Sequence, residues 1–486
     1  MRRTLARLCV FAVALASAAS ASAQGLDPGE VRVGAAKVSI EPKPNALAGQ
    51  FWEHDEAECE LGFGLDPTWA LNTRTPWPEN PNCIYAGGFG IGPMNSLVSW
   101  DQEYGLWVRS VAISDGSDTV VLTILDASYY MGRYRNLCER CGWFSLAEDL
   151  GAELQIPPSG FVFSATHAHS APDFIAGWGA VPQWYMDQVT EAIRESVRQA
   201  VRSLQPATLE VGDELLRDYN SDRRDIYWSP EENTLSWFRA IARNGDVIAT
   251  TIAYARHPTS RGSGTPIAHA DWHGPFSKRA EERFGGIALA FPSGLGNMSG
   301  RGGWQAGANL ADAIPGLGEG IPVPNPDVRS RQVFWVQPVT NSALTALGVP
   351  GLFDRPFVLQ PENATISPGK SDTNKCVSSS PLTVKTAISA IRIGNMTITG
   401  GPGELFSNIT NTIREDEFEK GQTALPISLA NDGLGYIMQN FEYNAIAGQL
   451  VGFVDDGLFG YEDAYAIDGC FGDMVLQTTL DALNGL

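Results

Sequence analysis

Apolar and polar positions along the chain change period several times, and each change predicts an element. Val31 to Pro44, VRVGAAKVSIEPKP, alternates and ends in prolines, the pattern of an edge strand. GLWVRSVAIS and TVVLTILDAS are two β-rich runs joined by Asp115-Gly116-Ser117-Asp118, a hairpin signal. A helical stretch is expected through Arg133 to Leu154. The run Phe161-Val162-Phe163 then reads as a buried strand. Pro182 to Leu204 predicts an amphipathic helix, with Val189, Ile193, Val197 and Val201 at four-residue steps. Strands follow at Thr208–Val211, Leu235–Ala242, Val247–Ala255 and Ile287–Phe291, with a helix over Phe276–Phe284. Thr383 to Thr399 holds two more strand-like runs. Apolar strands alternating with helices predict an α/β (α+β layered) fold, with mixed sheets flanked by helices.

The intervening segments are long. Asn45 to Pro93 is irregular, contains His54, and reads as a covering loop pinned by cysteines. Gly300 to Asn325 reads as a Gly/Pro-rich connection. The chain holds 51 glycines and 30 prolines among 486 residues, which favours a loop-rich, enzyme-like domain over a bundle.

The first residues have a different logic. Arg2, Arg3 and Arg7 precede an apolar core from Leu8 to Ala16, and Ala21-Ser22-Ala23 is a small-residue cleavage site. Residues 1–23 are expected to be a signal peptide. The core is far shorter than the ~20 apolar residues of a membrane span, and no later stretch is long and apolar enough to be one. A secreted or periplasmic protein is expected, with residues 24–486 as a single domain. Removing three arginines and no acid from 34 basic residues leaves 31 against 55 acidic ones, a formal charge of −24. Such a balance argues against nucleic acid and anionic membranes as partners. It leaves room for brief docking on a lipid surface through an apolar rim. Six cysteines remain after Cys9 leaves, and an even number in an exported chain favours disulfides. Cys59–Cys83 suits a local loop closure. Cys138 and Cys141 suit a redox pair or, less well, a zinc knuckle.

Candidate chemistry gathers after apolar strands. FVFSATHAHSAPD, residues 161–173, carries His167 and His169 at what reads as a strand's carboxyl end. Residues i and i+2 of a strand share a face, which suits metal binding or acid–base work. His257 lies in IAYARHPTS, and His269 and His273 flank Asp271 in AHADWHG. Histidines and carboxylates gathered at strand ends suit one shared metal site, and zinc in particular. IALAFPSGLGNMSG, residues 287–300, reads either as a plain turn or as a loop presenting a hydroxyl and backbone donors to a carbonyl. ITGGPGELFSNIT, residues 398–410, places Glu404 at the expected start of a helix, as a capping residue or a ligand. ISLANDGLGYIMQNFEY carries Tyr436, which alone reads as core.

Taken in order, these segments resemble the neutral/alkaline (non-lysosomal) ceramidase family, exported zinc amidases that cleave the N-acyl bond of ceramide. SATHAHSAP is similar to the family's SATHTHSGP, and YARHPTS to its F-A-x-H-P/S-x-S segment. AHADWHGPFSKRAEE resembles its S-D-N-x-G-Y-A helix start, SGLGNMSG its S-N-x-G-D-V-S-P-N loop, GGPGELF its P-G-E-F, and NDGLGYI its Y-I/V-T-T. RSVAISDGSDTVVLTILD resembles its R-A-F-x-V hairpin ending in Asp.

The resemblance implies one Zn2+ per chain, held by His167, His257, Glu404 and Tyr436. Ser299 matches the family's active-site serine, and His169 the histidine that touches the substrate carbonyl. Tyr461, in GYEDAY, and Arg223, in NSDRRD, correspond to substrate-binding residues, with Arg224 nearly as good a match as Arg223. The implied activity is hydrolysis of a small lipid-amide substrate, ceramide or a related N-acyl lipid, by water acidified at the zinc or by Ser299. The alternatives are a zinc hydrolase of a non-lipid amide or ester, and a non-catalytic binding protein that keeps the fold. The pattern departs from the family at Gly300, which replaces Pro, and at Asn297, which replaces Asp. Ala171-Pro172-Asp173 replaces Gly-Pro-Gly/Ala. The family's C-terminal immunoglobulin-like domain is expected to be absent. The zinc amidase centre transfers better than the ceramide specificity.

Overall fold

The computed structural model describes residues 25–43, 59, 77, 80–90, 92–224, 231–262, 265–342, 344–345, 354–367, 376–444 and 461–486. The expected leader at 1–23 and His54 lie outside them.

The larger sheet contains strands β1 (Val31–Ser39), β2 (Trp107–Ser114), β3 (Thr119–Leu125), β4 (Phe161–Ala165), β5 (Gln205–Leu215), β6 (Thr234–Ala242), β7 (Val247–Tyr254) and β8 (Ile287–Pro292). Their spatial order is β8-β7-β6-β5-β1-β2-β3-β4, and Ile321–Pro322 adds a ninth, short strand against β5. β1 is therefore not the edge strand its alternation predicts. It pairs with β2 on one side and β5 on the other. Its small residues explain the central place: a Cβ on Gly34 would collide with the Ala200 carbonyl of the helix packed above. That helix, α2 (Gln183–Arg202), buries Tyr185, Met186, Val189, Ile193 and Val197 along one stripe.

Every pairing along the main path is antiparallel except the two outermost, β3–β4 and β7–β8. Parallel neighbours need a crossover, and helices supply it: α1 (Trp143–Leu154) links β3 to β4, and α3 (His273–Phe284) links β7 to β8. α1 starts at Trp143 and not at Arg133. The N–H groups of Asn136 and Leu137 bond to the Asp354 carboxylate at 2.8 and 2.6 Å, and Cys138 is joined to Cys141. That backbone is spent on other partners before a helix can form.

A second sheet holds β9 (Val328–Pro338), β10 (Val358–Ile366), β11 (Ser378–Ile393), β12 (Met396–Gly400) and β13 (Thr423–Ile427). Its order is β9-β11-β12-β13, with β10 also on β11. The two runs expected within Thr383–Thr399 are the end of β11 and all of β12. β12 and β13 form a third parallel pair, crossed by α5 (Ser407–Glu419). The connection expected to be irregular over Gly300–Asn325 contains α4 (Ala306–Ala313), packed on α3 through Leu310 and Phe276. A last helix, α6 (Phe471–Asn484), covers β11 through Phe471 and Val475.

The sheets face each other across Val111, Val162, Phe291, Ile391, Ile398 and Leu425. The segment leaving β13 then joins both ends of the larger sheet. Asn431 N–H donates to the Phe163 carbonyl at 2.6 Å, and Ser164 Oγ to the Ser428 carbonyl at 2.9 Å. Ser428 N–H donates to the Pro292 carbonyl at 2.8 Å. The sheet curls until β4 and β8 meet one strand, and the carboxyl ends of three parallel pairs converge. Among the described residues no helix is long and apolar enough to cross a membrane.

Candidate metal centre

His167, His169, His257 and Glu404 each enter from a segment that has just left a strand. His167 is the second residue past β4, so strand alternation does not govern it. Its φ is +62°, a left-handed conformation that costs a β-carbon residue about 1–2 kcal/mol. This turn brings His169 Nε2 to 3.2 Å from His167 Nε2, with the rings at 87°. His169 N–H donates to the Pro258 carbonyl at 3.1 Å, which docks the turn on the loop after β7. His257 in that loop donates its N–H to the Met298 carbonyl at 2.9 Å.

Glu404 does not open a helix. Its N–H bonds to the Gly435 carbonyl at 2.8 Å, so its backbone belongs to a short strand, Glu404–Leu405, parallel to Tyr436–Ile437. Glu404 and Tyr436 are direct register partners. α5 begins only at Ser407.

The donors form a compact set. His167 Nε2 lies 3.2 Å from His257 Nε2 and 3.3 Å from Glu404 Oε2, and His257 Nε2 lies 3.7 Å from Glu404 Oε2. One ring nitrogen from each of His167, His169 and His257 lies within 4.8 Å of the others. Ligands ~2.0–2.1 Å from a tetrahedral zinc are about 3.3–3.4 Å apart, so these spacings fit such an ion. The protonation pattern fits as well. His167 Nδ1 faces the Ser128 carbonyl at 3.1 Å and His257 Nδ1 the Leu295 carbonyl at 3.0 Å. Carbonyls accept, so each ring carries its proton on Nδ1 and turns a bare Nε2 lone pair inward. Glu404 Oε2, also pointing inward, is buried without a hydrogen-bond partner. Bare lone pairs and a carboxylate oxygen packed together, away from water, are stable only around a cation.

Electrostatics keeps the donors in their ligating forms. Burial, then the neighbouring His167 and Arg223, hold His169 well below its ordinary pKa. Burial, then Arg223 and the other two imidazoles, do the same for His257. Burial pushes the Glu404 carboxyl up. The His167 imidazole, the hydrogen bond from Tyr129 and the Arg223 charge outweigh it and hold the group below its usual value. Burial and the Glu404 carboxylate drive the Tyr436 phenol well above its usual range.

The remaining candidates surround this set unevenly. The Tyr436 hydroxyl accepts from Arg223 Nη2 at 3.2 Å and donates to the Tyr461 hydroxyl at 3.5 Å. Arg223 also donates to Glu462 at 2.5 Å and to the Gly296 carbonyl at 2.6 Å, with its guanidinium 5.2 Å from the Tyr461 ring. Of the two adjacent arginines, Arg223 is the one at the site. Arg224 turns away to Asp463 at 3.1 Å and the Glu442 carbonyl at 3.0 Å. Ser299 lies in a short strand, Met298–Gly300, opposite Ser221. It follows the residue whose carbonyl holds His257, and it is half-buried. His269 and His273 do not join the cluster. His269 Nε2 is 3.4 Å from Asp101 Oδ2, and His273 stacks on Trp272 at 3.8 Å.

One participant has no counterpart in the sequence reading. The Tyr129 hydroxyl donates to Glu404 Oε1 in a short hydrogen bond. Its signal was positional: like Glu404 after β12, it stands four residues past a strand of a parallel pair. Beside the cluster opens a cavity of about 690 Å3, within the usual size range of small-molecule sites. His167, His169, Tyr129 and Tyr436 form its polar face. Phe89, Met131, Trp178, Phe357, Leu434 and Ile467 line much of the rest.

No family model and no curated protein matches the sequence. Among the solved structures similar in fold are two of ceramidases. One is neutral ceramidase from Pseudomonas aeruginosa, at a TM-score of 0.60 and 15% identity over 93% of this chain and 75% of that chain. The other is a ceramidase complexed with C2, at a TM-score of 0.60 and 15% identity over 93% of this chain and 74% of that chain. At that identity the likeness is one of fold: the chain has the architecture of neutral ceramidase, with a three-histidine cluster suited to a metal ion.

Proposed function

We propose that this chain is a zinc-dependent amidase that hydrolyses the N-acyl amide bond of ceramide or a related N-acyl lipid. The observation that carries this reading is the junction of the inward-facing donor cluster with an apolar cavity. An acyl amide joins one polar group to long apolar chains, and the cavity joins the donor cluster to a largely apolar lining. The ceramidase fold supports the same chemistry.

One zinc per chain is held by His167, His257 and Glu404, whose inward donors lie 3.2 to 3.7 Å apart. Tyr436 takes the fourth place and His169 faces the substrate. When bound, the ion supplies Lewis acidity toward a carbonyl oxygen and acidifies water. The protein's residues do the rest. Neutral His169 offers an imidazole nitrogen to the amide carbonyl. Arg223 orients the Tyr436 hydroxyl and places positive charge behind it. Tyr461, 41% exposed at the cavity, offers its phenol to the polar part of the substrate. Donors of this kind contribute roughly 3 kcal/mol each when aimed at a developing oxyanion. Ser299 serves as nucleophile or orients the attacking water. A His169→Ala enzyme that keeps its metal and loses turnover fits this assignment, whereas loss of the metal makes His169 a ligand.

The chain works outside the cytoplasm in this reading. Three disulfides, Cys59–Cys83, Cys138–Cys141 and Cys376–Cys470, support an oxidising compartment. The decisive experiment is turnover of a fluorescent short-chain ceramide with and without a chelator. Hydrolysis that stops on chelation and returns with Zn2+ is expected. Zinc-loaded protein that hydrolyses no acyl amide overturns the proposal.

A further inference from the structure

Tyr129 is fixed on three sides. Its ring lies edge-on to His167 at 4.6 Å and 79°, and stacks on Trp178 at 5.9 Å and 9°. On a third side, a Cβ added at Gly433 would stand 3.0 Å from Tyr129 Cδ1. A ring so confined has one place for its hydroxyl, and there it donates to Glu404 Oε1. The other carboxylate oxygen, Oε2, has no hydrogen-bond partner. It lies 3.3 Å from His167 Nε2 and 3.7 Å from His257 Nε2. The two oxygens of one carboxylate thus have separate assignments.

We infer that Tyr129 is a positioning residue of the metal centre: its phenol occupies Glu404 Oε1, so that the carboxylate offers only Oε2 to the ion. The inference rests on the metal-centre reading above. Glu404 sits in a two-residue strand, and its N–H is tied to Gly435. The backbone therefore does not choose which oxygen turns inward. Without the phenol, Oε1 becomes a second unpartnered oxygen in a dry site, and rotation toward the ion is its nearest relief. With His167, His257 and Tyr436 as the other donors, a one-oxygen carboxylate holds the coordination number at four, so that substrate or water can enter as a fifth ligand.

Tyr129→Phe keeps both ring contacts and deletes only the hydroxyl. The test is titration of wild-type and variant protein with Co2+ and Zn2+, reading affinity and the visible Co2+ spectrum. Wild type is expected to give the intense bands of four-coordinate Co2+. In Tyr129→Phe the dissociation constant should rise about 10–100-fold, the usual effect of losing a ligand's hydrogen-bond partner. Its bands should weaken as a fifth donor oxygen joins. An unchanged affinity and spectrum overturn the inference. So does a variant whose metal-free protein melts lower while its Co2+ spectrum stays wild-type, because that outcome makes Tyr129 a packing residue. Wild-type protein that binds neither metal instead removes the metal-centre reading itself.

Discussion

Replacing His167 by glycine and by alanine separates the backbone's contribution at this site from the imidazole's. Both variants lose the ring, its bond to the Ser128 carbonyl and the shared donor position, so those losses cancel in the comparison. What remains is the backbone at φ +62°. Alanine keeps the clash between Cβ and backbone, worth about 1–2 kcal/mol in the left-handed region. Glycine escapes it and pays about 0.5–1 kcal/mol in unfolded-chain entropy. The balance favours glycine by roughly 0.5–1 kcal/mol, the reverse of the usual order. Urea unfolding of the two metal-free variants measures the difference, and a metal assay should find both depleted of zinc. An alanine variant as stable as the glycine one, or more so, refutes the claim that His167 holds a strained backbone. Full zinc occupancy in either refutes its place as a ligand.

Ser299→Ala should cut acyl-amide turnover while zinc content, measured by atomic absorption, stays at one per chain; loss of the metal contradicts the role given to Ser299. Burial raises the Asp173 carboxyl from 3.8 to about 7. Its contribution is therefore fully present below pH ~4 and lost as pH rises through 7, to a limit of about 4 kcal/mol. Asp173→Asn should flatten that part of the stability profile in urea unfolding at pH 4.5 and 8, and parallel profiles would count against it. Cys376–Cys470 spans 94 residues, so replacing both by alanine should cost about 4–5 kcal/mol in chain entropy. A melting temperature unchanged under non-reducing conditions would show that the crosslink contributes little.

How much of this was legible depended on whether a pattern was local. The hairpin of β2 and β3, the stripe of α2 and the apolar run of β4 all stand where local sequence puts them: the strands are apolar runs buried on both faces and bounded by turn residues, and α2 buries one stripe. β1 misled for the opposite reason. Its alternation looked like an edge, but glycine and alanine at its centre accept a helix close above, and a strand lies on either side. β9, VRSRQVFWVQP, shows little because it is charged only at Arg329 and Arg331 while its later exposed positions are Phe334 and Val336, so no polar–apolar alternation marks it. The start of α1 was misplaced because Asp354, more than two hundred residues away in sequence, takes the N–H groups of the residues before it.

The candidate site divides along the same line. That histidines follow strands can be read from sequence, and His167, His169 and His257 do gather. The reason first available for His167 and His169 was strand alternation, yet the pair meets through a left-handed turn just beyond the strand. Glu404 has an equally local explanation, a carboxylate at a helix start, and it is the wrong one, because its backbone pairs with Tyr436 in a contact that no nearby residue encodes. His269 and His273 look as good in sequence as His257 and lie elsewhere. The determinant that sorts them is the curl of the larger sheet, closed where Ser428 and Asn431 bond to Pro292 and Phe163. Curvature of that kind sums small twists over eight strands, so no single window of sequence contains it. Tyr129 is invisible for a related reason: a tyrosine after an apolar strand reads as core until the segment after β12 of the second sheet brings a carboxylate to its hydroxyl.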